Sequence, residues 1–308
     1  MRTAIGATGR VLVTVGILIL LFVAYQLWGT GILEARSQDA LADQFDRRVE
    51  QQTTTTTTPN TSPTVAVPPT VATPTVPAAE LPANGEAVAN LEIPRIGVQK
   101  YVVEGIDVND LRDGPGHYPQ TPYPGQAGNV AIAGHRTTYG APFADIDQLD
   151  VGDEIKLTGL DGTVSTYRVN AKPFVVSPDE GDVLQPQPDP SAPGADLATL
   201  TLTTCHPKFS AEQRLIVTAS LQLPPGQVPL PPVVRDDAPV AIAGLNGDTG
   251  SRAPTILWAA IVLLVGGLWW FAFHRWHRWY VWFAGAIPFL VVLFVFYTYL
   301  ERLLPSSY

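Results

Sequence analysis

Three long apolar stretches constrain this chain more than any other feature of its sequence. Val11 to Trp28 carries no charge, Thr255 to Phe273 is a second such run, and Trp279 to Leu300 is a third. Each is long enough to cross the hydrocarbon of a bilayer as a helix. Helix is the form such a run takes there, because lipid offers backbone polar groups no partner. Arg2 and Arg10 precede the first run, so the bias of basic residues toward the cytoplasm places residues 1–10 inside and the following residues outside. Ala40-Leu41-Ala42 resembles a signal-peptide cleavage site. It lies too far beyond the apolar run for a short cleavage region, which favours an uncleaved signal anchor over residues 11–28. The basic stretch His274-Arg275-Trp276-His277-Arg278 separates the other two runs and predicts a membrane hairpin with residues 274–278 in the cytoplasm. Residues 29–254 and the tail 301–308 then lie outside.

Between the membrane segments, composition changes abruptly twice. Residues 29–82 open with a polar stretch whose spacing (Leu33, Leu41, Phe45, Val49) permits a helical stalk. Six consecutive threonines and repeated Thr-Pro and Val-Pro steps follow, a segment that cannot bury enough apolar surface to fold. As polyproline II it would reach on the order of 90 Å, a tether between membrane and domain. Residues 226–254 are a second, Pro-rich linker.

Residues 83–225 are left as the folded domain. They hold 9 Lys and Arg against 18 Asp and Glu, and no basic cluster, which argues against a nucleic-acid partner. Short runs rich in β-branched and aromatic residues predict strands at 89–93, 100–103, 129–133, 154–157, 163–170, 173–176, 198–204 and 213–221. Turn signals such as Pro94, Gly97 and Asp161-Gly162 separate them. Residues 145–151 have room for a short helix. Many short strands with few helices predict a closed or nearly closed barrel, so the class is mainly β with transmembrane helices, one N-terminal and two C-terminal.

The chain has one cysteine, Cys205, which excludes an internal disulfide framework. It ends the strand-like motif Thr201-Leu-Thr-Thr-Cys205. Arg214 follows nine residues later in QRLIV, and His135 stands seventy residues earlier, just after the strand-like AIAG. A thiol attacks as thiolate, an imidazole moves its proton, and a permanently charged guanidinium donates to an oxyanion. These three groups suffice for acyl transfer. Taken singly, each has an ordinary reading: a buried inert cysteine, a structural histidine, a salt-bridged arginine. His206 would point to the opposite strand face from Cys205. His117 sits in a Gly-Pro-Gly-His-Tyr turn and reads as a surface residue, and Asp145, Asp147 and Asp150 read as a solvated face. No Cys or His spacing suits a metal, and no cofactor is expected.

Read jointly, TLTTC, the following arginine and the histidine context AGHRTTYGAPF resemble the sortases. The wording is most similar to the class E sortases of actinobacteria, and the resemblance covers residues 86–222. It implies an eight-stranded β-barrel and a cysteine transpeptidase. Cys205 would be the nucleophile, His135 the general acid/base and Arg214 the substrate- and oxyanion-stabilising residue. It further implies cleavage of a C-terminal sorting signal, LPxTG-type or LAxTG as in class E, between Thr and Gly. The partners would be secreted proteins bearing that signal and the amine of a peptidoglycan precursor or pilin lysine. Tyr118 is the tyrosine expected in the substrate groove, with Tyr123 and Tyr139 as rivals, and Thr203 and Thr204 are further candidate substrate-binding positions. The location implied is the plasma membrane, catalytic domain extracellular. The C-terminal hairpin departs from the family's usual one or two spans. Two other readings compete: an L,D-transpeptidase or cysteine peptidase, disfavoured by the Cys–Arg spacing, and a non-catalytic membrane-tethered scaffold or adhesin.

Overall fold

The computed structural model describes residues 2–56, 81–178, 180–184, 198–234, 252–276 and 279–302. They fall into two units, one formed by residues 1–30 with 243–307 and the other by residues 31–242.

The first unit is helical. Helix α1 (Arg2–Ala24) leads through a π-helical turn (Tyr25–Gly29) into α2 (Thr30–Thr56), and α4 (Arg252–Trp276) and α5 (Trp279–Arg302) follow the domain. Three apolar stretches in these helices are long enough to span a membrane. They pack through Tyr25, Leu293 and Tyr297. The hydroxyl of Tyr297 donates to the carbonyl of Leu18 at 2.7 Å, and that of Tyr25 to Glu301 at 3.0 Å. Two residues of the predicted basic turn, 277 and 278, lie outside the described residues, as does the tail 303–308.

The second unit is a β-barrel. Its strands are β1 (Ala87–Ile93), β2 (Val98–Glu104), β3 (Gly116–His117), β4 (Gly128–Ala133), β5 (Glu154–Gly159), β6 (Val164–Val169), β7 (Phe174–Val176), β8 (Ala198–His206) and β9 (Gln213–Leu221). The order β6-β5-β1-β2-β3-β4-β8-β9 returns to β6, because Tyr167–Val169 pair with Ala219–Leu221. Eight strands therefore close the ring, as expected, although the set differs from the one read in the sequence. β7 pairs with the other end of β9, at Arg214–Ile216, outside the ring. The two-residue β3 takes its place, bridging β2 and β4. The predicted helix over residues 145–151 is a single 3-10 turn at Ile146–Gln148, and an unpredicted short helix, α3 (Val108–Asp113), precedes β3.

Alternation decides what fills the barrel. Leu200 and Leu202 of β8, Leu215, Val217 and Ala219 of β9, and Val130 and Ile132 of β4 face the interior with Leu91, Leu157, Tyr167 and Phe143. Their sequence neighbours face outward, and on β8 these too are buried.

The stalk is not free. From Gly31 onward α2 belongs to the barrel unit. Leu41 and Phe45 pack on Ala87 and Val103. Gln38 pairs with both backbone groups of Tyr101, accepting from its N–H at 2.7 Å and donating to its carbonyl at 3.0 Å. Lys100 holds the buried Glu34 at 2.6 Å. The expected tether begins where α2 ends. Its residues 57–80 lie outside those described. The second linker also begins pinned, with the Leu230 backbone hydrogen-bonded to Gly125 and Ala127.

Candidate active site

The site grows from the parallel pairing of β4 with β8 and the antiparallel pairing of β8 with β9. Cys205 lies directly across from Arg214. Ala133 lies beside Thr203, and the N–H of Gly134 donates to the carbonyl of Thr203 at 3.0 Å. His135 follows two residues beyond Ala133, just past the end of β4. Cys205 and Arg214 thus form a row across β8 and β9, continued by the pairs Thr203–Ile216 and Thr201–Thr218, and His135 stands just past the end of the neighbouring β4.

Local packing fixes each member. A Cβ at Gly134 would meet the Phe143 ring at 2.6 Å, so the ring lies close only because glycine stands there. Phe143 returns a hydrogen bond from its N–H to the carbonyl of His135 at 3.1 Å. The His135 ring packs beside Tyr139, centroids 5.0 Å apart, and its Nδ1 lies 3.5 Å from the Thr138 hydroxyl. Cys205 and His135 are both buried. Burial pushes the Cys205 thiol up to about 11, against the pull of the Arg214 and Arg136 guanidinium groups. Arg214 is half-exposed, and its Nη1 donates to the carbonyls of Ala211 and Gln213 at 3.0 and 3.1 Å. Among the described residues no carboxylate pairs with it.

Tyr118 enters from the loop after β3. Its hydroxyl lies 3.2 Å from that of Thr203. Burial raises its phenol above the ordinary value, with Arg214 and Cys205 both near enough to influence it. The structure thus brings Tyr118 and Thr203 to the row. Thr204 is turned away, donating to the carbonyl of Gly134 at 2.7 Å, where it steadies the strand end that carries His135. Tyr123 stacks on His117 and Tyr139 packs against His135 and Arg112. The Nδ1 of His206 faces Arg136 at 3.0 Å, on the far side of the strand from the row.

Several contributors escaped the sequence reading. His117, expected at the surface, is fully buried: its Nδ1 meets Glu104 at 2.9 Å and its Nε2 meets the carbonyl of Pro122 at 3.0 Å. Thr121 joins this pair to the site by donating to the carbonyl of Tyr118. Asn129 accepts from the Thr199 and Thr201 hydroxyls on the outer face of β8, a position that period-two alternation alone marks. Arg136 is buried beside Cys205, and the supposed solvated face supplies its counterion, Asp147, at 3.2 Å. Asp145 pairs with Lys208 in the same region.

A closed barrel that sets a thiol, an imidazole and a guanidinium on adjacent strand ends carries the groups of a cysteine acyl-transfer enzyme. Residues 91–222 match the family described as the Sortase domain. Sortase SrtE1 of Streptomyces coelicolor is 32% identical over 68% of this chain and 55% of its own length. Sortase D of Bacillus subtilis is 34% identical over 41% of this chain and 58% of its own. The chain thus spans rather more than half the length of these curated relatives. The solved structure of sortase E from Streptomyces avermitilis is 42% identical, covering 46% of this chain and 91% of that one, with a TM-score of 0.40. The matched residues, which make up most of the barrel, are thus a Sortase domain. Three membrane-length helices beside that domain fit a membrane-anchored protein.

Proposed function

We propose that this protein is a sortase that cuts a C-terminal LAxTG- or LPxTG-type sorting signal between Thr and Gly. It then passes the acyl group to an amine of a peptidoglycan precursor or a pilin lysine. The observation that carries this reading is the pairing of Cys205 on β8 with Arg214 on β9, with His135 just past the end of the neighbouring β4. The wording of the motifs, which is most similar to the class E sortases, favours LAxTG.

In this reading Cys205 starts as a thiol, since burial disfavours its charged form. His135 takes the proton as sulfur attacks the threonine carbonyl. Arg214 donates hydrogen bonds to the oxygen on which charge develops. The tetrahedral centre collapses, the Thr–Gly bond breaks, and His135 returns the proton to the leaving glycine amine. A thioester to Cys205 remains. The incoming amine attacks it, giving up a proton to His135, and the thiol is restored. Bond energy passes from one amide to another, so no ATP is required, which suits an extracellular site.

The test uses the full-length protein in detergent, LAxTG and LPxTG peptides and an amine donor, with products read by mass spectrometry. Cys205→Ala abolishes cleavage and His135→Ala nearly does, while His206→Ala retains substantial activity. Arg214→Lys loses on the order of 10²–10³ in rate, because an ammonium cannot reproduce the guanidinium fork. Cleavage by Cys205→Ala at the wild-type rate sinks the reading.

A further inference from the structure

Arg136 follows His135 directly in sequence, yet its contacts are to the strand that carries the cysteine. Its Nη1 donates to the carbonyl of Cys205 at 3.2 Å and lies 3.0 Å from Nδ1 of His206. Its Nη2 meets Asp147 at 3.2 Å, on the 3-10 turn at Ile146–Gln148. Its Nε is buried without a hydrogen-bond partner. A guanidinium stays protonated, so this is a charge held inside the protein. Its counterion compensates it poorly: the Arg136 side chain is 4% exposed, whereas that of Asp147 is 46% exposed and shares its field with water. Burying a cation this way is costly unless the charge has work to do.

We propose that Arg136 is a positioning residue. It ties the segment bearing His135 to the strand end bearing Cys205, and its incompletely neutralised charge favours the thiolate, with Asp147 setting how much of that charge is felt. Three contacts reach three pieces of chain: the end of β8, the turn carrying Asp147, and through its own backbone the end of β4. Release of any one contact lets the thiol and imidazole move apart.

Among the described residues, the charged and titratable groups facing Cys205 are few. Arg214 lies across from it on β9, His135 beside it beyond β4, and Tyr118 reaches in from the loop after β3. His206 adjoins it in sequence with its ring against Arg136, and the Lys208–Asp145 pair lies in the flanking loops. Burial raises the thiol strongly, and Arg214 and Arg136 are the cations that oppose it. Arg214 is half-exposed and, in the reading above, engages substrate. Arg136 is buried and acts whether or not substrate is present.

This proposal rests on Cys205 as the nucleophile, and its test is independent of turnover. The chain has a single cysteine, so alkylation by iodoacetamide reports one site in the full-length protein in detergent. The rate is followed against pH by mass spectrometry, since the reagent consumes thiolate. A change in access alone scales the profile, while a change in charge displaces it along the pH axis. Arg136→Met displaces the profile to higher pH and slows alkylation at neutral pH by roughly tenfold. Asp147→Asn preserves shape, removes a negative charge beside Arg136, and displaces the profile to lower pH. A scaffold role would not give these opposite signs. A profile for Asp147→Asn that stays in place or moves upward overturns the proposal, even if Arg136→Met fails to fold. An Arg136→Met profile that superimposes on wild type overturns it as well. Failure of peptide cleavage in the wild type, with both displacements present, would sink the sorting reaction and leave this inference standing.

Discussion

Within Thr201-Leu-Thr-Thr-Cys205, alternation sends Leu202 to the core and Thr203 to the groove, and that parity decides which side chains meet a substrate. Tyr118 lies on the groove side through its contact with Thr203, so its ring stands as a wall near the thiol. An aromatic wall favours a small second residue in the signal, alanine over proline. Tyr118→Ala should therefore lower the ratio of LAxTG to LPxTG cleavage by several-fold. Tyr118→Phe keeps the wall, loses one hydrogen bond, and should leave that ratio nearly unchanged. The ratio is measured by peptide competition, with melting temperature as the fold control. An unchanged ratio in Tyr118→Ala at normal melting temperature removes the ring from signal choice. Cys205, His135 and Arg214 were picked out in the sequence because each stands near a strand end within motifs whose joint wording resembles the sortases. Arg136, His117 and Glu104 were not. Their importance comes from burial against residues distant in sequence, and neither spacing nor residue type announces that.

At the scale of elements, strands were easier to read than their partners. All eight predicted runs are strands, because β-branched alternation is a local property. β3 was missed because two residues leave no period to detect; Gly116 is there because a Cβ would meet the Gly105 carbonyl at 2.2 Å. α2 was legible as a helix, but its docking was not: Gln38 pairs with the backbone of Tyr101 as a neighbouring strand would. The Gln38 amide also donates to the carbonyl of Asp113 at 2.8 Å, so one side chain secures β2 and the end of α3. Gln38→Ala leaves those backbone groups unsatisfied and should cost about 1–3 kcal/mol. It should lower the melting temperature and raise amide exchange at residues 34–50 and 98–104 together. Exchange that stays at the wild-type level across β2 would mean that α2 is held by Leu41 and Phe45 alone.

The membrane unit has an internal consistency that bears on the whole molecule. Tyr297 near the end of α5 bonds to Leu18, and Tyr25 bonds to Glu301, so the ends of α1 and α5 lie at the same level. Thr255, at the start of α4, donates to the carbonyl of Tyr299 at 3.0 Å, which brings that end to the same level. The start of α1, the end of α4 and the start of α5 then lie at the other. A three-span topology requires this sorting, because both linkers of the sortase domain must emerge on one side. Arg2, Arg10 and Arg275 belong to the opposite end, which basic-residue bias assigns to the cytoplasm. Single cysteines introduced into a Cys205→Ala background test this in intact cells with a membrane-impermeant thiol reagent. Probes at Ser251 and Ser307 should label, and a probe at Trp276 should label only after the membrane is opened. Burying the basic turn within lipid instead would be expensive. Labelling of the Trp276 probe in sealed cells would place that turn outside and with it overturn the extracellular placement of the active site.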